Sequence, residues 1–262
     1  MPASKVYFTD FRCRNGVSQL DKLRKLLEKS EFSQIDFDGK FVAIKLHFGE
    51  LGNLSFLRAN YAKVVADFIK ERGGRPFITD CNTLYVGSRK NALEHMDTAY
   101  LNGYSPFSTG CHVIIADGLK GSDDIEVPVA GGEYCKTARI GRAVMDADIV
   151  ISLAHFKGHE EAGFGGALKN VSIGIASSNG KRWIHSAGVT KDKWVETPQD
   201  AFLESMAEAD EAVISHMHGK MMYLNVMNRL SVDCDCLPSP TEPDMHDIGV
   251  LSSLDPVALD QA

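Results

Sequence analysis

Side chains able to do chemistry are concentrated between Leu153 and Gly188. This segment contains three histidines, His155, His159 and His185. Imidazoles bind transition metals or exchange protons near neutral pH. An apolar run at 149–154, typical of a buried β-strand, precedes the first two histidines, and a glycine-rich stretch follows them. A strand, a polar glycine-rich turn and a helix in this order form many ligand sites of open α/β sheets.

The glycine-rich stretch contains Gly163, Gly165 and Gly166, which let a backbone approach a cofactor closely. The helix predicted over 165–176 would then present N–H groups that favour anions. The spacing matches neither a Walker loop nor a dinucleotide fingerprint. Two interpretations remain open, a phosphate or carboxylate site and a tight turn without a ligand. Lys169, about one turn into this helix, either reaches solvent or points into the site.

Other predicted strands also end in polar side chains, and right-handed crossovers bring such ends to one edge of a parallel sheet. Solvation alone would explain any one of these residues, but together they predict a histidine-rich cleft. We predict that His159 transfers protons, assisted by His155 or His47. The residues predicted to hold a small anionic substrate are Lys157, Arg182, Asp80 and Asn82.

A Cys-x-Cys pair, Cys234 and Cys236, follows a predicted strand and could bind a soft metal. A four-thiolate cluster would need two further cysteines, and Cys81, at another strand end, is a candidate. The alternative is a pair of buried free thiols. We predict a divalent transition-metal site, its identity open, for which His185, Cys234 and Cys236 are the candidate ligands.

The chain alternates predicted strands and helices, which indicates an α/β fold with a mainly parallel sheet and helices on both faces. A small β-hairpin excursion is predicted at 124–140, and an irregular stretch at 180–197. We expect one domain over residues 1–262, with two lobes, about 1–120 and 121–262, as the alternative. The strands are predicted at 5–10, 41–48, 76–79, 112–116, 149–154, 221–232 and 248–251.

Composition excludes several classes of protein. The net charge of −7 gives no reason to expect nucleic acid or an anionic membrane as a partner. No apolar run approaches the roughly 18 residues of a membrane span, and Met1–Lys5 does not begin a signal peptide. The six scattered cysteines fit free thiols in a reducing compartment, so we expect a cytoplasmic protein.

Seven segments of the chain carry a resemblance to a known family: 43–50, 80–85, 87–89, 155–160, 163–170, 247–250 and 255–258. Together they resemble the domain-of-unknown-function-362 family, whose members are often called iron–sulfur-centre proteins. Many members of that family carry a ferredoxin-like insert after the region matching 174–190. This chain lacks the insert, and residues 180–215 contain no cysteine. The resemblance therefore implies the scaffold of the family, whereas the missing insert disfavours an iron–sulfur cluster in this chain.

A more distant resemblance is to lactate racemase-like enzymes, which hold a nickel-pincer nucleotide. The run from His159 through Ala162-Gly163-Phe164 to Lys169 is similar to the segment that attaches their cofactor. The resemblance implies that His159 moves the substrate proton, that Lys169 bonds the cofactor and that His185 ligates nickel. The second catalytic histidine of those enzymes follows a threonine, whereas Leu84 follows Thr83 in this chain.

Three functions remain open from the sequence. The first is a metal- or metallocofactor-dependent enzyme, isomerase- or racemase-like, that transfers a proton on a small anion. The second is an oxidoreductase-associated or iron–sulfur protein that uses Cys81, Cys234 and Cys236 and works with a redox partner. The third is a non-catalytic module that binds an anion.

Overall fold

A seven-stranded sheet forms the centre of the computed structural model, which describes residues 4–243 and 245–262. The first half of the chain contains β1 (Tyr7–Asp10), α1 (Gln19–Lys29), β2 (Phe41–Lys45), α2 (Ala59–Lys70), β3 (Arg75–Asp80), α3 (Ala92–Leu101), α4 (Pro106–Thr109), β4 (His112–Ile115) and β5 (Asp124–Pro128). The second half contains β6 (Thr137–Gly141), α5 (Arg142–Met145), β7 (Ile149–His155), β8 (Lys157–His159), β9 (Gly163–Gly165), α6 (Ala167–Val171), α7 (Ser178–His185), α8 (Gln199–His216), β10 (Met221–Met227), β11 (Gly249–Ser253) and α9 (Pro256–Gln261). A short 3-10 helix, Glu31–Gln34, follows α1.

The strand order is β1-β11-β10-β7-β2-β3-β4. The five strands from β10 to β4 run parallel, and β11 is antiparallel to both of its neighbours. Ile44 of β2 pairs with Ile151 of β7 and with Ile78 of β3. The carboxyl ends of the parallel strands therefore meet at one edge of the sheet, as the sequence predicts.

Each face of the sheet carries its own apolar core. Successive residues of a strand point to opposite faces, so Val42 and Ile44 pack with α1 and α2. Ala43, between them, packs with residues of α6, α7 and α8 on the other face. This arrangement explains why the inner strands are apolar throughout and confirms the predicted α/β architecture with helices on both faces.

The short elements differ most from the sequence prediction. The stretch 180–197 was predicted to be irregular, but its first residues belong to the helix α7, and the Ser177 side chain caps this helix by accepting the Gly180 N–H. The helix predicted over 165–176 is limited to α6, because the glycines before it form the β8–β9 hairpin. The hairpin of β5 and β6 is present as predicted. Within the described residues, no helix is both long and apolar enough to cross a membrane.

Candidate functional site

A cavity of about 390 Å³ lies at the carboxyl ends of the parallel strands. Its lining comes from the segments after β2, β3, β7 and β10, from α6 and α7, and from the loop that follows α7. Eleven of the residues singled out in the sequence line it: His47, Asp80, Cys81, Lys157, His159, Gly165, Gly166, Lys169, His185, Cys234 and Cys236. The expected convergence of distant polar strand ends is therefore present in the structure.

Three soft donor groups come together on one side of the cavity. A ring nitrogen of His159 and the sulfurs of Cys234 and Cys236 all lie within 4.8 Å of one another. His159 ends β8, and the two cysteines lie in the loop after β10. The Nδ1 of His159 accepts the backbone N–H groups of Glu161, at 3.2 Å, and Ala162, at 3.1 Å.

The two thiols of this group differ in acidity. A hydrogen bond from Cys236 holds the pKa of the Cys234 thiol well below its usual range, and Lys169 lowers it further, although burial opposes this shift. The same interaction with Cys234, together with burial, raises the pKa of Cys236. The closeness of the two sulfurs therefore favours the loss of one proton from the pair.

His185 lies in the cavity but outside this three-donor group. Its Nδ1 lies 2.6 Å from the backbone oxygen of Lys181, so Nδ1 carries a proton and donates it to that oxygen. Nε2 lies 3.8 Å from a carboxylate oxygen of Glu161, and the ring stacks on Phe202 with centroids 4.7 Å apart. Among the described residues the structure thus gathers His159, and not the predicted His185, with the two cysteines.

His47 contributes a second imidazole to the cavity. Its Nδ1 accepts the Gly49 N–H at 3.0 Å, so the ring proton is on Nε2. Burial and the charge of Arg89 lower the pKa of His47 well below its usual value. The ring therefore stays neutral near pH 7 and can donate one hydrogen bond.

Asp80 reaches the cavity, but its carboxylate is already paired. One oxygen lies 3.3 Å from the Lys45 ammonium and the other lies 3.5 Å from the Arg89 guanidinium. Burial opposes ionisation, yet Lys45, His95 and Arg89 together hold the pKa of Asp80 far below its usual range. This carboxylate is thus held between two cations at the cavity wall, and its contact with a substrate stays a prediction.

The structure does not bring four of the predicted residues to the cavity. His155 is buried, with Nδ1 2.9 Å from Asp235 and Nε2 2.6 Å from the backbone oxygen of Asn228, so both ring nitrogens have partners inside the core. The other three are Asn82, Arg182 and Gly163, none of which lines the cavity.

The side chain of Asn82 bonds to the carboxylate of Asp117 and the carbonyl of Gly118, at 2.9 and 3.0 Å. Gly163 is exposed at the start of β9 and has a φ of +72°, which explains why a glycine stands there. These two residues shape the surrounding backbone and do not contact the cavity.

At the glycine turn, for which an anion site and a tight turn without a ligand were both open, a carboxylate of the protein itself occupies the helix start. The backbone N–H groups of Ala167 and Leu168 donate to the carboxylate of Asp260, at 2.7 and 2.9 Å. Asp260 lies in α9, more than 90 residues away in sequence. The N–H groups of Ala167 and Leu168 are therefore not available to an external anion.

Three cations in the cavity lining were not singled out from the sequence. Lys45, Arg89 and Lys181 are all buried and all line the cavity. One signal could have identified Lys45, because a lysine at the end of the apolar run 41–46 can reach a polar partner only at the strand end. Lys181 carried no such signal, since α7 itself was not predicted.

Comparison with known proteins shows the family to which the chain belongs. A sequence model described as "Domain of unknown function (DUF362)" matches residues 42–262. The chain belongs to this family. A thylakoid-associated protein from Synechocystis sp. is 28% identical over 140 residues, which cover 51% of this chain and 37% of that protein.

Two solved structures share the fold of this family member at low identity. The lactate racemase apoprotein from Thermoanaerobacterium thermosaccharolyticum has a TM-score of 0.59 at 15% identity and covers 93% of this chain. A Thermotoga maritima protein has a TM-score of 0.57 at 15% identity and covers 96% of this chain. The chain spans 54% and 59% of those two chains, so it corresponds to little more than half of each.

Proposed function

We propose that the chain is a metal- or metallocofactor-dependent enzyme that transfers a proton on a small anionic substrate. The observation that carries this proposal is the group of His159, Cys234 and Cys236, whose donor atoms lie within 4.8 Å of one another. The group faces a cavity that also contains buried cations and two further imidazoles. A metal, a proton carrier and an anion-binding charge would thus share one small space.

The donor set fits a soft divalent metal. Two sulfurs and one nitrogen are ligands that zinc or nickel accepts readily, and a position facing the cavity would stay open to substrate. Such a metal would supply Lewis-acid polarisation of a substrate oxygen. Because Nδ1 of His159 now accepts two N–H groups, binding through Nε2 requires the proton to move to Nδ1. Metal loading would therefore rearrange the turn at 160–162.

His185 is the best-placed proton acceptor. The carbonyl of Lys181 keeps a proton on Nδ1, so Nε2, which faces the Glu161 carboxylate, is the nitrogen that would exchange a proton with the substrate. His47, neutral and with its proton on Nε2, would donate a hydrogen bond to a substrate oxygen. The Lys169 ammonium, close enough to lower the pKa of Cys234, would attract the anionic group of the substrate.

A nickel-pincer nucleotide is the alternative cofactor. Lys169 and His185 line the same cavity, as the resemblance to lactate racemase-like enzymes requires. Lys169 would hold the nucleotide covalently and His185 would ligate its nickel, so the cofactor would supply a tethered metal centre. In that arrangement His47 would still donate a hydrogen bond to the substrate.

Metal analysis of the purified protein tests the proposal. We expect bound zinc or nickel in wild-type protein, and its loss in the Cys234→Ser/Cys236→Ser double variant. Cys81→Ser is the matched control, because Cys81 lines the same cavity but bonds only to the carbonyl of Ile175, at 3.2 Å. Full metal content in a folded double variant would contradict the thiol site. A mass increase on Lys169 would select the pincer cofactor instead.

Two other functions make different predictions. An iron–sulfur or redox role would need a fourth ligand from elsewhere, since Cys81 is not part of the His159 group in the described structure. Brown protein after anaerobic purification would favour that role and a redox partner. A pure anion-binding module would hold no metal and would still bind anions. The free thiols support the cytoplasm as the proposed compartment.

A further inference from the structure

The first strand of the sheet has one edge without a neighbouring strand. Among the described strands, β1 is outermost and pairs with β11 alone. The backbone oxygen of Lys5 accepts a hydroxyl of β11 at 2.7 Å, and the Phe11 N–H donates to the residue just before β11 at 3.2 Å. Odd-numbered residues therefore turn their main-chain groups towards β11. Because these directions alternate along a strand, Phe8 and Asp10 turn theirs away from the sheet, where an added strand could bond to them.

A groove between this edge and helix α1 is rich in positive charge. We call it the basic groove, and its charged residues are Asp10, Arg12, Arg14, Lys22, Lys25 and Lys29. The three lysines are spaced at i, i+3 and i+7, which puts them on one face of α1. Five cations and one carboxylate give the groove a net charge of +4, in a chain whose net charge is −7.

Most of these cations have no acidic partner. Lys22 pairs with Asp10, whereas the other four cations of the basic groove form no ion pair with any residue that the structure describes. The opposite side of α1 differs, because Arg24 pairs there with Glu28 and with Glu71 of α2. Carboxylates thus balance the charge where α1 meets α2 and are missing along the groove.

The free edge and the charge together favour an acidic peptide in extended conformation as the occupant. Such a segment would bond to the main chain of β1 as an added strand, and its carboxylates would meet the lysines of α1. A second copy of this chain would bring two basic grooves together, which like-charge repulsion disfavours. A nucleic acid or an anionic membrane would use the charge but not the main-chain groups, and the net charge of −7 opposes both.

We propose that the free edge of β1 and the basic groove form a docking site for an extended acidic segment of a partner protein. Tyr7 packs on the core beneath α1, whereas Val6 packs on the core of the other face. Residues of the segment that lie opposite Tyr7 and Thr9 would therefore point to the lysines of α1, and those opposite Phe8 would point away from them. Phe8 is 53% exposed, so the segment should alternate carboxylate and apolar side chains.

The docking site is independent of the proposed function, because the basic groove and the cavity share no lining residue. Fluorescence anisotropy of the full chain with labelled peptides of about eight residues tests it. We expect a peptide of alternating Glu and Val to bind about tenfold more tightly than a peptide with the same residues in two blocks. A peptide of alternating Lys and Val should not bind.

Backbone methylation separates strand addition from charge attraction. In an added strand the N–H groups of every second peptide residue face β1, and the others face solvent. Methylating the backbone nitrogen of all Glu residues, or of all Val residues, removes one set and leaves the charge unchanged. One of the two methylated peptides should bind about tenfold more weakly, and the other should bind like the unmethylated peptide. Equal binding of both methylated peptides would overturn the docking site.

Charge reversal tests the groove itself. Lys25→Glu/Lys29→Glu, at two exposed positions, should weaken binding of the alternating Glu and Val peptide by about tenfold or more. Lys120→Glu/Lys191→Glu, also exposed and outside the groove, is the matched control and should bind like wild type. Unchanged binding in the groove variant would contradict the proposal. So would a single-stranded oligonucleotide or anionic lipid vesicles that displace the peptide, since the groove would then attract any polyanion.

Discussion

The carboxylate of Asp260 accepts the backbone N–H of Ala167 at 2.7 Å, which joins the last helix to the start of α6. The same oxygen accepts from the side chain of Asn225 at 2.6 Å. Because α6 carries Lys169, the end of the chain fixes the segment that presents this lysine to the cavity. Asp260 and Ala167 are 93 positions apart in the sequence, and the Asp260 carboxylate takes the place that an external anion could have had at the glycine turn.

Replacing this carboxylate should loosen the site and the fold together. In Asp260→Ala, the N–H groups of Ala167 and Leu168 lose their acceptor, and we expect a loss of about 1–3 kcal/mol in the free energy of unfolding. Urea denaturation measures the loss. Asp192→Ala, at an exposed position, is the control and should change stability by less than about 0.5 kcal/mol. An Asp260→Ala variant as stable as the control would show that α6 does not depend on this contact.

The main strands could be predicted from the sequence because burial imposes a regular spacing on their apolar residues. The alternation of Val42, Ala43 and Ile44 serves both faces of the sheet, and strand-end polarity located His159 and Lys169 at one edge. The helix α7 was missed because its cap, Ser177, and its internal Gly180 are typical of a loop.

Tertiary contacts of the site could not be predicted from the pattern. The partners of His155 and Ala167, Asp235 and Asp260, come from distant loops or helices, and no local signal marks them. For the same reason, the sequence predicted His185 as the metal-ligating histidine, although the structure brings His159, at the end of β8, to the two cysteines. Periodicity gives the direction of a side chain, whereas the choice among several nearby polar partners depends on packing.

The buried cluster around Asp80 should make stability depend on acidity. Asp80→Asn removes the charge that faces Lys45 and Arg89, and we expect a loss of about 3–5 kcal/mol at pH 7. The pKa of Asp80 is lowered in the folded state from a usual value of 3.8, so its contribution is present above that pH. It is lost as the pH falls from about 3.8 towards the folded-state pKa.

Urea denaturation of wild type and Asp80→Asn from pH 7 down to the lowest pH at which both still fold would show this. The difference in unfolding free energy should narrow below pH 4. A difference that stays constant across this range would mean that Asp80 stabilises the fold by packing alone.

Asp210 should make the stability of the protein change with pH in the direction opposite to that of Asp80. Its carboxylate in α8 is buried, and neither oxygen has a hydrogen-bond partner within the described structure. Burial, with a smaller effect of Asp260, raises the pKa of Asp210 well above 3.8, so this group favours folding when protonated and loses that advantage as pH rises. Asp210→Asn, which cannot ionise, should stabilise the protein by about 1–3 kcal/mol at neutral pH.

The thermal midpoint of Asp210→Asn should therefore exceed that of wild type at pH 7, and the two should converge towards pH 4. Asp192→Asn is the control and should follow wild type throughout. A lower midpoint for Asp210→Asn at pH 7 would mean that the carboxylate is charged and has a partner that the fold provides.

His155 and His159 form a matched pair that separates stability from metal binding. His155 bonds to Asp235 and to the Asn228 carbonyl inside the core, whereas His159 faces two sulfurs in the cavity. We expect His155→Gln to lower the free energy of unfolding by about 1–3 kcal/mol and to keep any bound metal. His159→Gln should leave the stability of the metal-free protein nearly unchanged, within about 0.5 kcal/mol, but weaken metal retention.

Urea denaturation in the presence of a chelator measures the free energy of unfolding of the metal-free variants. Metal content after dialysis against a weak chelator measures how well each variant retains its metal. The opposite pattern, with metal lost only in a folded His155→Gln variant, would place the metal on the other side of β7 and remove the basis of the proposed site.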